Sequence, residues 1–172
     1  MNGPEPVIGF NVKPEMLEEI KTKILDEHEQ LLGVFTAQPR ADRGGYKSLL
    51  RGRLVITDKR VIVWARGLGG GTEAFLYNDI LSVEGSKGLV LGKVTLNLGG
   101  AKEIIDSMPN PEVDIAVKMI REQIQLARTQ SQLEQVSDDI PAQIEKLAKL
   151  RDAGILTEEE FSAKKAELLA RM

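Results

Sequence analysis

The sequence contains no cysteine, and this absence excludes several kinds of site at once. A disulfide framework, a thiolate zinc site and a cysteine nucleophile all need a side chain that the chain lacks. Its single histidine, His28, stands between Glu27 and Glu29 without the nucleophile and orienting partner of a catalytic triad. We therefore expect no enzyme activity, no cofactor and no bound metal.

Long apolar runs and aromatic residues are also scarce. No stretch approaches the roughly 18 to 20 apolar residues that a membrane-spanning helix needs. The first six residues have no basic region followed by an apolar one, so we expect no signal peptide and a cytoplasmic protein. Aromatic residues make up 4% of the chain and its pI is about 5.4, which argues against nucleic acid as a partner.

The charge is unevenly distributed along this mildly acidic chain. The net charge is −3, yet residues 38–66 contain eight basic side chains against two acidic ones. Five of the basic residues are the candidates for binding an anion or a lipid headgroup: Arg40, Arg43, Lys47, Arg51 and Arg53. The alternative is a solvated face that the acidic N-terminal helix partly neutralises.

The apolar periodicity divides the first 110 residues into one helix and a series of strands. Pro14, with acidic residues in the turns that follow it, predicts a helix over 14–27 that has Leu17, Ile20 and Ile24 on one face. Strands are predicted at 31–37, 54–57, 60–64, 72–77, 81–84, 89–91 and 93–98, with 104–105 as a candidate for the last. Short strands separated by glycine turns indicate an antiparallel sandwich or barrel.

A long helix is predicted to follow the strands and to cover an open edge of the sheet. Asn110 is its expected N-cap and Pro111 its first residue. Its apolar stripe consists of Val113, Val117, Ile120, Ile124 and Ala127.

The last third of the chain predicts a small helical hairpin. Residues 129–138 are polar and are interpreted as a helix tail or linker. Gly154 suits the end of the first helix, Thr157 and Glu160 fit a capping box for the second, and Leu156 with Phe161 fits a hydrophobic staple. About 30 residues without a disulfide or a metal are fewer than the roughly 40 that usually fold alone. The apolar side of the hairpin must therefore be buried against its own barrel, against other copies or against another protein.

The strand region resembles the bacterial pleckstrin-homology-like (PH-like) domains. The resemblance rests on the hairpin motif Thr57-Asp58-Lys59-Arg60 between two apolar strands, on residues 75–84 and on residues 87–96. It extends over about residues 14–127. It implies a mainly β fold with additional helices, in which a seven-stranded bent antiparallel barrel is capped by the helix from Asn110. It also implies a non-catalytic module with no general ligand.

The tail resembles the SHOCT (short C-terminal) domain. The signature is residues 154–161, Gly-Ile-Leu-Thr-Glu-Glu-Glu-Phe, together with spaced apolar residues on either side. The resemblance implies an appendage for oligomerisation or tethering. The candidate interaction surface consists of Ile144, Leu147, Leu150, Leu156, Phe161 and Leu168.

Together these patterns predict a bacterial binding or scaffolding module. We expect an N-terminal extension (1–13), a PH-like domain (14–128), a linker (129–138) and a SHOCT-like hairpin (139–172). The barrel is expected to bind a protein, and the hairpin to promote homo-oligomerisation or tethering. The alternative is a peripheral membrane or anion-binding module that uses the basic segment 40–53.

Overall fold

The computed structural model describes residues 5–39, 52–65 and 71–170, with the backbone alone for residues 39 and 134–139. In chain order the elements are β1 (Val7–Ile8), α1 (Pro14–Lys23), β2 (Leu31–Pro39), β3 (Gly52–Thr57), β4 (Arg60–Ala65), β5 (Gly71–Leu76), β6 (Ile80–Lys87), β7 (Leu91–Leu98), β8 (Ala101–Pro109), α2 (Asn110–Asp152) and α3 (Glu158–Leu169). The chain divides into two compact units, Met1–Gln125 and Leu126–Met172, which we call the barrel unit and the hairpin unit.

Seven antiparallel strands form the barrel unit in the order β5-β4-β3-β2-β8-β7-β6. Strand β2 belongs to both halves of the sheet, because its first part pairs with β3 while Gln38 and Pro39 pair with β8. Among the described strands β5 and β6 are not paired with each other, so the barrel is open. The predicted seven-stranded bent antiparallel barrel is thus confirmed. The short parallel strand β1 beside β2 was not predicted.

Two helices bury apolar side chains against this sheet. Ile20 of α1 lies in a cluster with Leu31, Val34, Val55, Ile62 and Trp64, and Leu17 and Ile24 pack against it. In the first part of α2, the predicted stripe is buried at Val113, Val117, Ile120 and Ile124. The capping helix expected after the strands is therefore confirmed.

Several predicted boundaries were wrong. Helix α1 ends at Lys23 rather than at residue 27, and the chain then turns through His28, whose φ is 63°. Residues 89–91 were predicted as a separate strand, but Gly88 to Val90 form the turn between β6 and β7. The Gly88 N–H donates to the Leu91 carbonyl over 2.9 Å and closes this turn.

Two predictions at element ends also need correction. Tyr77 was assigned to a strand but begins a 3-10 helix, Tyr77–Asp79. Asn110 is the first residue of α2, and its side-chain amide donates to the Gly88 carbonyl over 2.9 Å. Since its amide oxygen has no hydrogen-bond partner among the described residues, the predicted N-cap bond is absent.

The hairpin unit consists of the second part of α2 and of α3. The backbone of residues 129–138 is helical and continues α2, and the domain boundaries drawn from the sequence stay a prediction. Three apolar side chains described in this unit are buried: Ile140, Phe161 and Leu168. No helix in the described part of the chain is both long enough and apolar enough to cross a membrane.

Candidate interaction surfaces

The turn of the hairpin unit is built by local hydrogen bonds around a glycine. Gly154 has a φ of 73°, which favours glycine because a side chain there is strained. Its N–H donates to the Arg151 carbonyl over 2.8 Å, and the Ile155 N–H donates to the Leu150 carbonyl over 3.0 Å. This pair of bonds is the Schellman motif, so the predicted glycine end of the helix is confirmed.

Helix α3 begins with the predicted capping box. The Glu160 N–H donates to Thr157 Oγ1 over 3.2 Å, and the Thr157 N–H donates to Glu160 Oε2 over 2.9 Å. The hydrogen bond from the Thr157 backbone lowers the pKa of Glu160. The capping box places Phe161 one turn into the hairpin, where the Arg151 guanidinium lies 4.7 Å from the centre of its ring.

The six predicted surface residues differ in how much of each side chain is exposed. Phe161 and Leu168 are buried, Ile144, Leu147 and Leu156 are half-buried, and Leu150 is exposed. Leu147 and Leu168 line a shallow cleft of about 310 Å³ between α2 and α3, which Lys146, Lys164 and Glu167 border. The two buried members hold the hairpin together, and of the six only Leu150 belongs to the exposed apolar surface.

Sequence periodicity missed much of the exposed apolar surface of the hairpin unit. Ile155 follows the turn glycine and is 69% exposed, and Leu169 is exposed at the end of α3. Leu126 and Leu133 are exposed on α2. The glycine turn gives Ile155 its position, so turn chemistry was the available signal for it.

In the barrel unit, the Thr57-Asp58-Lys59-Arg60 turn is part of a buried polar network. The Glu29 side chain is 0% exposed, and both its oxygens accept hydrogen bonds from Arg60, over 2.9 and 2.8 Å. Thr57 Oγ1 donates to the same carboxylate over 2.8 Å, and Tyr77 Oη donates to the Thr57 carbonyl over 2.6 Å. The turn motif therefore ties the β3–β4 hairpin to the segment before β2.

The network changes the ionisation of its members. Burial opposes ionisation of Glu29, but the hydrogen bonds from Arg60, the Asp26 N–H and Thr57 outweigh it and lower the pKa of Glu29. The pKa of Arg60 is raised, chiefly by its hydrogen bond to Glu29. Burial raises the pKa of Tyr77. Each group keeps its ordinary charge at neutral pH, as a structural ion pair requires.

Comparison with known families agrees with this architecture. Residues 25–122, more than half of the chain, match the family model of the bacterial PH domain, and residues 142–169 match the short C-terminal domain, SHOCT. The chain belongs to the bacterial PH domain family. A SHOCT domain follows the PH domain, in the order that the sequence predicted. Domains of these two families are generally non-catalytic modules.

Solved PH domains resemble the chain at low identity. A DUF1696 family protein with a pleckstrin-homology domain, from Shewanella loihica, is 20% identical with a TM-score of 0.40, and the match covers 64% of this chain and 91% of that one. The PH domain of USP37 is 15% identical with a TM-score of 0.38, and the match covers 58% of this chain and 98% of that one. Both TM-scores are below 0.5, so the family assignment rests on the sequence match. No curated protein matches the chain.

The predicted anion-binding residues of this PH domain lie mostly outside the described residues. Arg40, Arg43, Lys47 and Arg51 belong to the part that the structure does not describe. Arg53 is buried in β3, and its Nη1 donates to the Gly52 carbonyl over 2.7 Å. Arg60 is engaged by Glu29 and by Asp26, so one charge of the basic segment 38–66 is already paired.

The turn between β6 and β7 gives the PH domain an apolar tip. Leu89 is 99% exposed, and Val90 and Leu91 beside it are exposed as well. Sequence periodicity missed this tip, because an apolar run of three residues resembles a strand.

Within the described residues, no group of histidine, aspartate or glutamate side chains has the arrangement of a metal site.

Proposed function

We propose that the chain is a cytoplasmic, non-catalytic scaffolding module. Its PH-like barrel binds a protein, and its SHOCT hairpin promotes self-association or tethering. The observation that supports the hairpin's role is the balance of its apolar side chains. Three are buried, while five large ones are exposed on the described residues: Leu126, Leu133, Leu150, Ile155 and Leu169.

The physical reason is that this unit has too little core to account for its apolar surface. Folding must offset the conformational entropy of every ordered residue, and small units do so only with a dense core, a metal or a disulfide. The chain has no cysteine, and the described residues contain no metal cluster. Association covers the remaining apolar surface and supplies the missing burial.

Sedimentation velocity on the full chain at rising concentration tests this proposal. We expect the wild-type chain to self-associate, and the double variant Ile155→Glu, Leu169→Glu to lose the part of this association that depends on the hairpin, so that its average sedimentation coefficient at each concentration lies below that of the wild type. The matched control is Leu76→Glu, Leu81→Glu, which places the same charges on exposed leucines of the barrel unit and should behave as the wild type does. A wild-type chain that is monomeric at every concentration contradicts self-association. Equal effects of the two double variants contradict the role of the hairpin.

A second candidate function is peripheral binding to an anionic membrane. The basic segment 40–53 and the apolar tip around Leu89 support it, since exposed apolar patches mark protein or membrane contacts. Basic residues near an anionic leaflet each contribute about 1 kcal/mol. Co-sedimentation with phosphatidylserine vesicles at low and high salt tests it. Binding should weaken in Leu89→Glu but not in Leu76→Glu, and no binding at low salt contradicts this function.

A further inference from the structure

The N-terminal segment of the barrel unit occupies a cleft between β2 and α2. Strand β1 pairs with β2 in parallel, with Val7 opposite Gly33 and Ile8 opposite Val34. Strand β2 pairs with β8 only further along, at Gln38 and Pro39. We call residues 7–10 the arm. Among the described strands the arm alone fills this edge of β2.

The cleft holds the arm through its backbone. The Gly9 N–H donates to the Val34 carbonyl over 2.8 Å, and the Phe10 N–H donates to Glu112 Oε1. Thr36 Oγ1 donates to the Phe10 carbonyl over 2.8 Å. The arm's side chains contribute less, because Val7 and Ile8 are 40% and 41% exposed and Phe10 is 71% exposed. The cleft is therefore built for an extended backbone rather than for particular side chains.

Gly9 is the one position of the arm where the cleft selects the residue. A Cβ at this position would lie 2.9 Å from Glu112 Oε2, 3.0 Å from Phe35 Cδ1 and 3.0 Å from the Val34 carbonyl oxygen. A neighbour would have to move to admit even an alanine. The fitting sequence is thus any extended segment with glycine at this point, and the chain's own arm is one.

Glu112 is a side chain through which the cleft holds the backbone of its occupant. The residue is 8% exposed, and its Oε2 has no hydrogen-bond partner among the described residues. If the arm leaves, Oε1 loses the Phe10 N–H as well. Because Gly9 and Phe10 lie against this carboxylate, water reaches it once the arm leaves, and a second arm restores the backbone donor.

We propose that the cleft is an exchange site, in which the arm of one copy of the chain takes the place of the arm of another. The bonds in the exchanged form are those of the closed form, so their energies largely cancel. A strand of two residues with exposed side chains is the kind of segment that opens locally. Any other copy of the chain carries the same Val-Ile-Gly-Phe sequence, which fits the cleft. The exchange lies within the barrel unit and does not use the C-terminal hairpin.

The first test uses a fluorescein-labelled peptide of residues 5–13 and the full chain. In the Gly9→Ala chain the chain's own arm fits the cleft poorly, whereas in the wild-type chain the arm competes with the peptide. We therefore expect the peptide to bind the Gly9→Ala chain about tenfold more tightly than the wild-type chain. The same peptide with Gly9→Ala should bind neither chain. Because a Cβ at Gly9 would lie 3.0 Å from Phe35 Cδ1, a second variant is the Phe10→Pro chain, which keeps Gly9 and loses the N–H given to Glu112 together with a phenyl ring that is mostly exposed.

The second test separates arm exchange from assembly through the hairpin. Sedimentation equilibrium in the Ile155→Glu, Leu169→Glu background should show dimers that dissociate when excess peptide is added, but not when the alanine peptide is added. Absence of peptide binding to both arm variants overturns the proposal. Peptide binding to a chain that stays monomeric overturns exchange between copies and assigns the cleft to extended segments of other proteins.

Discussion

The two units of the chain hold themselves together in different ways. In the barrel unit, 25 apolar side chains are buried and 9 large ones are exposed among the described residues, whereas the hairpin unit has 3 buried and 5 exposed. The barrel unit also contains a buried ion pair between Glu29 and Arg60, while Arg151 of the hairpin pairs with Asp152 and Glu158 on the surface. The barrel unit thus buries most of its large apolar side chains within itself, whereas the hairpin unit leaves more of them exposed than it buries, which is why we propose that the hairpin unit depends on association.

The largest expected effect comes from breaking the buried ion pair. Arg60→Met leaves the Glu29 carboxylate buried without its guanidinium and should lower the free energy of unfolding by about 3 kcal/mol. The fluorescence of Trp64, which is the only tryptophan and lies in the barrel core, follows the unfolding in urea. The matched control is Arg151→Met, which removes a surface ion pair and should have a much smaller effect. Equal losses in the two variants would contradict the comparison.

Acid should weaken the barrel unit through the same carboxylate. The pKa of Glu29 is lowered in the folded state from its ordinary value of 4.5, so its stabilising effect is complete above that value and is lost as the pH falls through the folded pKa. We expect the urea midpoint to fall as the pH drops below 4.5, and to fall less in Glu29→Gln. Glu145→Gln, at an exposed pair with Lys149, is the control. An unchanged pH dependence in Glu29→Gln would remove this role.

The next effect concerns the turn of the hairpin unit. Gly154→Ala places a side chain at a φ of 73° and should destabilise the hairpin by about 1 kcal/mol. Nothing lies within 4 Å of a Cβ there, so the cost is backbone strain alone. Gly99→Ala also has open space around it but no positive φ and should be neutral. Amide hydrogen exchange of residues 158–169 measures the difference, and equal exchange in both variants would argue against strain at the turn.

The smallest effect is expected at the capping box. Thr157→Ala removes the side-chain acceptor of the Glu160 N–H and should cost about 1 kcal/mol or less. Thr157→Ser keeps the hydroxyl and should retain most of the stability. Hydrogen exchange of the first backbone amides of α3 distinguishes the two variants. If these amides exchange at the same rate in Thr157→Ala and in Thr157→Ser, the cap contributes nothing measurable to the stability of α3.

Structural features that depend on neighbours in the chain could be predicted from the sequence. The β3–β4 hairpin has two residues between two apolar runs, and the capping box has its partners three residues apart. Such patterns are read directly from spacing. The strand predicted at 89–91 was wrong because its apolar residues do not decide where the turn lies. The pairing of Lys87 with Gly92 decides it, and this pairing forms only in the folded sheet.

The longer-range features could not be predicted from the sequence. Glu29 and Arg60 are 31 residues apart, and Phe10 and Glu112 are 102 apart. Only the folded barrel brings these pairs together. The motif Thr57-Asp58-Lys59-Arg60 was correctly used as a family signature, but its reason is the network around Glu29, which spacing does not reveal. The exposure of the apolar residues in the hairpin could not be predicted either, because periodicity does not separate the buried Phe161 from the exposed Ile155, and the interaction surface itself stays a prediction.

We propose that the hairpin unit depends on association for its stability and that the barrel unit does not. Amide hydrogen exchange of the full chain at low and at high protein concentration tests it most directly. We expect protection in α3 to rise with protein concentration, and protection in β3 and β4 to stay high and constant. Protection in α3 that is as strong as in β3 and β4 at the lowest concentration would contradict it.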